Sequence, residues 1–457
     1  MAFDPIAYIN EPRWQESRLG LERIRELLDR LGRPQDRLRF VHVAGTNGKG
    51  STCAFLASIL QAADYRTGLF TSPFIETFEE RIRVDGCNIT LDELTAVTLA
   101  VKEQAETMAA ETGDHPTEFE LMTAVAFEHF ARSACEIVVL EVGLGGRLDS
   151  TNVIDAPEAT VIARIGLDHT KLLGNTLAAI ASEKAGIVKE GAPVISWPQE
   201  PEAMAVVEEV ARAQGVPLTV PDLSQLDVAT VERASAVERE SSPACSDEET
   251  PMTFVRPFSY RGRAYCTQLV GSYQPANAAL ALETVEVLRT RGWDIPDAVV
   301  SVGIERAHWP GRFEVLPGGA GQPTFVVDGG HNPQGAHALV ESLDDVFPGV
   351  KPVFIMGVLE DKDYPAMLEV VMPLISGFVA VTPDNPRALP ADRLARAVRW
   401  TGQDLLGCSA HMRPRVARDF DEAVTLAQEL AGAEGLVCAF GSLYGIAALK
   451  SALKAAQ

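Results

Sequence analysis

The mostly apolar run Leu38–Ala44 passes directly into Gly45-Thr46-Asn47-Gly48-Lys49-Gly50-Ser51, and a helical pattern follows over Lys49–Asp64. A buried strand that hands its backbone to a helix through so tight a loop leaves few folds open. Three glycines let the loop wrap closely, so its N–H groups can converge on one anion. The start of the following helix adds a positive dipole end. Lys49 is the only cation in the loop and can reach the β- and γ-phosphates of a nucleotide. Ser51 or Thr52 can offer a hydroxyl to Mg²⁺. The loop departs from the general pattern G-x-x-x-x-G-K-[ST]. Gly45 precedes Gly48 by only three positions, and Gly50 separates Lys49 from Ser51. A plain glycine-rich turn is the alternative; the strand–loop–helix setting and the single lysine favour phosphate binding.

The same rhythm continues along the chain. Strands are expected at Thr67–Thr71, Glu136–Val142 and Thr160–Ile165, with helices at Leu91–Glu111 and Glu118–Arg132. Strands alternating with helices predict a parallel sheet covered on both faces. The acidic, Ser-rich stretch 235–249 has no apolar period and reads as an exposed insertion. Beyond it a small hairpin turns at Arg261-Gly262, and a helix spans Tyr273–Arg291. The rhythm restarts with strands at Thr324–Asp328, Lys351–Met356, Gly377–Val381 and Leu436–Phe440. Helices fall between them at about 333–346, 362–374, 389–400 and 418–431. The fold class is therefore α/β: a P-loop-type ATPase domain with a parallel sheet over 1–298, then a smaller Rossmann-like α/β domain over 299–457.

With 457 residues, two or three domains are expected. The net charge of −23 excludes a whole-chain basic footprint, so nucleic acid is not an expected partner. Anionic ligands then need local positive sites of the kind the glycine loop offers. Seven scattered cysteines form no C-x-x-C pair and suit free thiols in a reducing cytoplasm. No run of about 20 apolar residues exists, so no membrane span is expected. The polar stretch Met1–Gly20 does not read as a signal peptide.

The Gly45–Ser51 loop resembles the phosphate loop of the Mur ligase superfamily, in its folate branch of folylpolyglutamate and dihydrofolate synthases. Other segments agree in order. Leu31-Gly32-Arg33-Pro34 precedes the first strand, and Thr71-Ser72-Pro73 follows the second. Glu141–Asp149 ends the third, and Asp168-His169 leads to Glu183–Ile187. Gln274 and Asn277–Leu280 open a helix. Then come Trp309-Pro310-Gly311-Arg312, Asp328–Pro333, Asp361-Lys362-Asp363, Asn385-Pro386-Arg387 and Gly441–Tyr444. The likeness runs from about residue 31 to 445. It departs from the common pattern at Phe74, Ser150, Tyr273 and Gly329-Gly330; Phe74 and Ser150 bear on which pterin is accepted.

The resemblance implies a two-step reaction. A carboxylate takes the γ-phosphoryl group of ATP, and an amine then displaces phosphate to form an amide. The expected activity is ATP-dependent addition of L-glutamate to a folate, with dihydropteroate as an open second acceptor. The resemblance also assigns residues. Thr46, Asn47, Gly48, Lys49, Gly50 and Ser51 cradle phosphate. Glu141, Ser72 and His169, with Ser51 as a candidate, hold Mg²⁺, and Lys184 is carbamylated and helps hold the metal. Asn277 contacts adenine, Arg312 reaches the phosphates from the second domain, Asp328 takes the ribose, and His331 faces phosphate. Thr117, Phe119, Leu148 and Asp149 are candidates for a pterin and benzoate pocket. Lys49, Lys184, His169 and Arg312 carry the catalytic burden. Read without the resemblance, Ser72 is a turn residue, His169 a helix start, Lys184 half of a solvated pair with Glu183, Asp328 a cap and Arg312 a surface charge.

Two other functions compete: a Mur-type ligase acting on a cell-wall precursor, and a non-catalytic nucleotide switch or P-loop motor protein, which would lack Arg312, Asp328 and His331. The expected partners are small molecules (ATP, a folate or pterin, and L-glutamate), and the expected state is a cytoplasmic monomer.

Overall fold

Along strand Phe40–Ala44 every residue is buried. Val41 and Val43 belong to one hydrophobic core and Phe40 to another, as the two-residue period of a strand requires. Strand Ile137–Glu141 repeats the pattern, with Ile137 and Val139 on one side and Val138 and Leu140 on the other. Strands buried on both faces need helices on both, and that is the observed architecture. It is seen in a computed structural model that describes residues 3–11, 18, 20–232, 254–319, 321–406 and 413–456.

The first sheet has eight strands. In order across it they are Cys87–Asn88, Ile82–Val84, Thr67–Phe70, Ile137–Glu141, Phe40–Ala44, Ala159–Ile162, Val194–Ser196 and Leu218–Thr219. From Thr67–Phe70 onward they are parallel; the first two form an antiparallel edge. Helices Lys49–Ala62 and Gln274–Thr290 cover one face, and Leu91–Thr112 and Glu118–Arg132 the other. The last two begin at Thr90 and Thr117, each in a capping box closed by a glutamate three residues on. Beside this sheet, Leu226–Val228, Arg256–Tyr260 and Arg263–Thr267 make a small antiparallel sheet. Its turn, as expected, is Arg261-Gly262, both with positive φ.

The second sheet runs Glu314–Leu316, Thr324–Val327, Leu436–Phe440, Val353–Met356, Gly377–Ala380 and Arg415–Val416, parallel except for its first strand. Separate cores fill its two faces. Helix Asp297–Arg306 precedes it and packs on the first domain. Gly303 lies so close to Ile59 that a Cβ there would sit 2.4 Å from the Ile59 Cα. Ser58 Oγ donates to the Gly303 carbonyl at 2.7 Å. The division expected at 298/299 cuts this helix, so we propose that the boundary lies after it, in the segment 307–313.

The acidic stretch 235–249 lies outside the described residues. Cys53, Cys135, Cys266 and Cys438 are free thiols as expected, whereas Cys87 is disulfide-bonded. Among the described residues no helix is long and apolar enough to cross a membrane.

Candidate active site

Open parallel sheets place their ligand-binding loops at the carboxyl ends of the strands. Here the two sheets turn those edges toward each other, and loops from both line two adjoining cavities. The first holds the glycine loop with Ser72, Glu141, His169, Lys184, Asn277, Arg312, Asp328 and His331. The second holds Thr117, Phe119, Leu148 and Asp149, with room of about 360 Å³. That is enough for a fused bicyclic ring and its substituents. Ser72, Pro73, Gly143, Leu144, His169, His331 and Leu443 line both and so form their common wall. Every site residue expected from the sequence is brought to one cavity or the other.

The glycines of the phosphate loop are demanded by contact as much as by φ. Gly45 (φ 151°) and Gly48 (φ 84°) hold conformations that disfavour other residues. A Cβ would meet Ala163 at 2.7 Å from Gly45, the Asn277 Oδ1 at 2.6 Å from Gly48, and the Trp309 indole at 2.7 Å from Gly50. Trp309, in the segment joining the domains, lies on the loop at Gly50 and leaves no space for a side chain there. Thr46 and Asn47 donate their N–H groups to the Arg164 carbonyl at 2.9 and 3.1 Å. Asn47 crosses the cleft, accepting from Asn332 Nδ2 at 3.3 Å and donating to Gln334 Oε1.

Lys49 Nζ lies 3.8 Å from Glu141 Oε1, and Ser72 N–H donates to Glu141 Oε2 at 3.2 Å. Burial pushes the Glu141 carboxyl up, while the Lys49 charge draws it down. Lys184, in helix Leu177–Ala185, is buried and not a solvated partner of Glu183, which binds Arg147 instead. Its Nζ donates to the Gly45 carbonyl at 2.7 Å. Burial, with the nearby Lys49 charge, brings its ammonium down to about 7. His169 takes a left-handed conformation (φ 50°) before the short helix Thr170–Leu173. Among the described residues no three His, Cys, Asp or Glu side chains converge as a closed metal cage. The donors on hand are one carboxylate, one imidazole and hydroxyls, a set that suits a hard cation whose other ligands are phosphate and water.

Asp328 is buried and already accepts from Tyr273 Oη at 3.1 Å, Phe313 N at 2.8 Å and Gly330 N at 2.7 Å. Its carboxylate thus shapes the turn that places His331, whose Nδ1 donates to the Gly329 carbonyl at 3.0 Å. The turn brings His331 Nε2 to 3.4 Å from Asp168, and Lys362 Nζ meets the same carboxylate at 2.8 Å. Burial alone would raise the Asp168 carboxyl. The His331 hydrogen bond and the Lys362 and His169 charges instead hold it well below its usual range. In the second cavity Asp149 is buried and accepts from Leu144 N, Thr151 N and Thr151 Oγ1 at 2.8, 3.0 and 2.5 Å. The Thr117 hydroxyl is engaged with Glu120 at its helix cap.

The sequence assigns no role to Asp168, Lys362, Arg387 or Ser442, which stand within the motifs quoted above, nor to Arg81 or Glu118. All six line the cavities. The charges of Asp168, Lys362 and Arg387 within their motifs are the available signal for those three; Ser442 carries none.

Residues 43–285 match the Mur ligase middle domain, and residues 311–443 match the Mur ligase, glutamate ligase domain. The chain is 36% identical over 456 residues to the dihydrofolate synthase/folylpolyglutamate synthase of Bacillus subtilis, covering 98% of this chain and 99% of that protein. It is similar to the crystal structure of Mycobacterium tuberculosis folylpolyglutamate synthase complexed with ADP and AMPPCP, with a TM-score of 0.81, 30% identity and coverage of 98% and 99% of the two chains. It is also similar to Escherichia coli FolC in complex with DHPP and ADP, with a TM-score of 0.80, 28% identity and coverage of 100% and 99%.

Proposed function

The chain belongs to the folylpolyglutamate synthase/dihydrofolate synthase family of Mur ligases, and from that premise we propose how its cleft performs ATP-dependent joining of L-glutamate to a folate-type substrate. One observation carries the reading. The nucleotide residues and the pterin residues line two cavities that meet at Ser72, His169 and His331.

ATP lies in the first cavity, with its phosphates on Lys49 and on the N–H groups of the glycine loop from Gly48 onward, those of Thr46 and Asn47 being held by Arg164. The acceptor lies in the second, with its carboxylate at the common wall. A carboxylate oxygen attacks the γ-phosphorus, the bond to the β-phosphate oxygen breaks, and ADP leaves an acyl phosphate. The glutamate amine then attacks the acyl carbon and phosphate departs. Charge accumulates on phosphoryl oxygens in the first step, and cations fixed in a dry cleft stabilise it there far better than water does. Lys49 reaches those oxygens from the first domain and Arg312 from the linker. Asn277 faces the adenine and Asp328 the ribose. Glu141, Ser72, His169 and Ser51 would hold Mg²⁺, which supplies neutralisation of phosphate charge. Closure of the cleft keeps water from the acyl phosphate.

Lys184 is proposed to be carbamylated. Its neutral amine adds to the carbon of CO₂ and loses a proton, giving an anion whose two oxygens a hard cation accepts. The pull of burial toward the neutral amine supports this. Both cavities are complete within one chain, which supports a monomer; ATP and folate as substrates support a cytoplasmic setting. Dihydropteroate is proposed as a second acceptor, because the B. subtilis relative is named for both activities.

Purified enzyme with MgATP and L-glutamate should release phosphate and yield an amide with tetrahydrofolate, and also with dihydropteroate, but none with a UDP-linked muramyl acceptor. Mass spectrometry of the acceptor decides it; ATP hydrolysis indifferent to folate, with no lengthened product, would sink the reading.

A further inference from the structure

Among the described residues two arginines, Arg81 and Arg256, lie deep inside the protein, and they are treated differently. Arg256 is 1% exposed, donates to the Val270 carbonyl at 2.7 Å and pairs with Asp345. There the fold satisfies the charge it buries. Arg81 is 9% exposed and lies at the end of the turn Phe78–Arg81. Its guanidinium stacks on Phe74 at 5.0 Å and Phe78 at 5.4 Å. Its Nη1 faces the Met122 thioether at 3.1 Å, a weak acceptor, and its Nε has no acceptor. It joins no ion pair among the described residues. Burial pulls the group below its usual value, with the Glu118 charge opposing that pull.

A buried guanidinium without an oxygen partner is destabilising, and a fold keeps one where something outside the fold completes it. Arg81 lines the second cavity beside Thr117, Glu118, Phe119 and Tyr444. Glu118 is half-buried, and burial raises its carboxyl. The two opposite charges share the cavity wall without pairing, which leaves room between them for a group that both accepts and donates. Resting on the folate reading of this cavity, we propose that Arg81 is a substrate-binding residue held unpaired to take an oxygen acceptor of the folate-type substrate, with Glu118 taking a donor. That oxygen belongs to the pterin ring, to the benzoyl end or to a carboxylate of the glutamyl tail, and fragments of the substrate separate the three.

This role gives a combination that a structural role cannot. Arg81→Met removes an uncompensated charge and keeps the apolar stem on the two rings. The variant should melt at the wild-type temperature or above, keep wild-type affinity for ADP, and bind tetrahydrofolate about tenfold or more weakly, the usual scale for losing a hydrogen bond to a charged group. Arg81→Lys should recover part of that loss. Titration of the intact enzyme with dihydropteroate, tetrahydrofolate and p-aminobenzoylglutamate locates the oxygen. Weakening of the first two alone assigns it to the ring; weakening of the last two alone assigns it to the tail; weakening of all three assigns it to the benzoyl end they share. Unchanged affinity for all three overturns the proposal, as does a lower melting temperature with ADP affinity lost in parallel. Wild-type enzyme that binds none of the three overturns the folate reading itself, and this proposal with it.

Discussion

A lysine amine reacts with CO₂ only when it is neutral, so burial decides whether Lys184 can. At pH 7 an ordinary lysine is neutral for well under ~0.1% of molecules, whereas a group titrating near 7 is neutral for about half. Since burial brings Lys184 to about 7, its neutral share rises as pH climbs through that value. Enzyme stripped of CO₂ should therefore regain activity on adding bicarbonate, and regain it faster at pH 8 than at pH 6. No response to bicarbonate at either pH would exclude the carbamate. Lys184→Arg cannot form it and should lose about a hundredfold or more in turnover, on the scale of one lost transition-state contact. The sequence made this lysine visible through its apolar neighbours Ala181, Ala185 and Ile187. Arg81 was not visible, because nothing local distinguishes a surface arginine in Phe78-Glu79-Glu80-Arg81 from one folded inward. Its burial comes from Phe74, Met122 and Tyr444, which only the folded chain assembles.

Elements with strong local signals were legible in the sequence. Helix Glu118–Arg132 and strand Leu436–Phe440 fall at their expected ends, since a capping box and a short β-rich run mark them. Helices Pro201–Ala213 and Asp297–Arg306 were not anticipated. The second falls where the boundary between the domains is expected, and its Gly303 is what lets it press on Ile59. The same logic explains Gly50, a position the phosphate loop shares with Trp309. Gly50→Ala should weaken ATP binding by pushing the indole, measured as a raised KM for ATP. Trp309→Phe removes the atoms in the way and forfeits no hydrogen bond, since the indole N–H has no partner. Joining the two changes should restore much of the loss, with a coupling energy of about 0.5–3 kcal/mol. Strict additivity would show that the contact does not shape the loop.

Across the whole molecule, the two sheets are held at the cleft by charges that neither domain satisfies alone. Asp168 belongs to the first and Lys362 to the second, with side chains only 12% and 10% exposed. Lys362→Met leaves a shielded carboxylate with only His331 and His169 beside it and should cost up to about 3–5 kcal/mol in urea denaturation, the scale for breaking a buried pair. Adding Asp168→Asn should return a good part of that. A double variant less stable than Lys362→Met would mean that the pair does not link the domains. A different consequence attaches to Asn47. Its one amide is engaged at both ends by Asn332 and Gln334 of the second domain, yet it stands in the loop proposed to hold a nucleotide's phosphates. The amide cannot answer to both claimants at once. An arriving nucleotide that takes it must displace those two side chains, and a departing one frees it to take them back. The empty and filled cleft would then trade places by a swap of partners at a single residue.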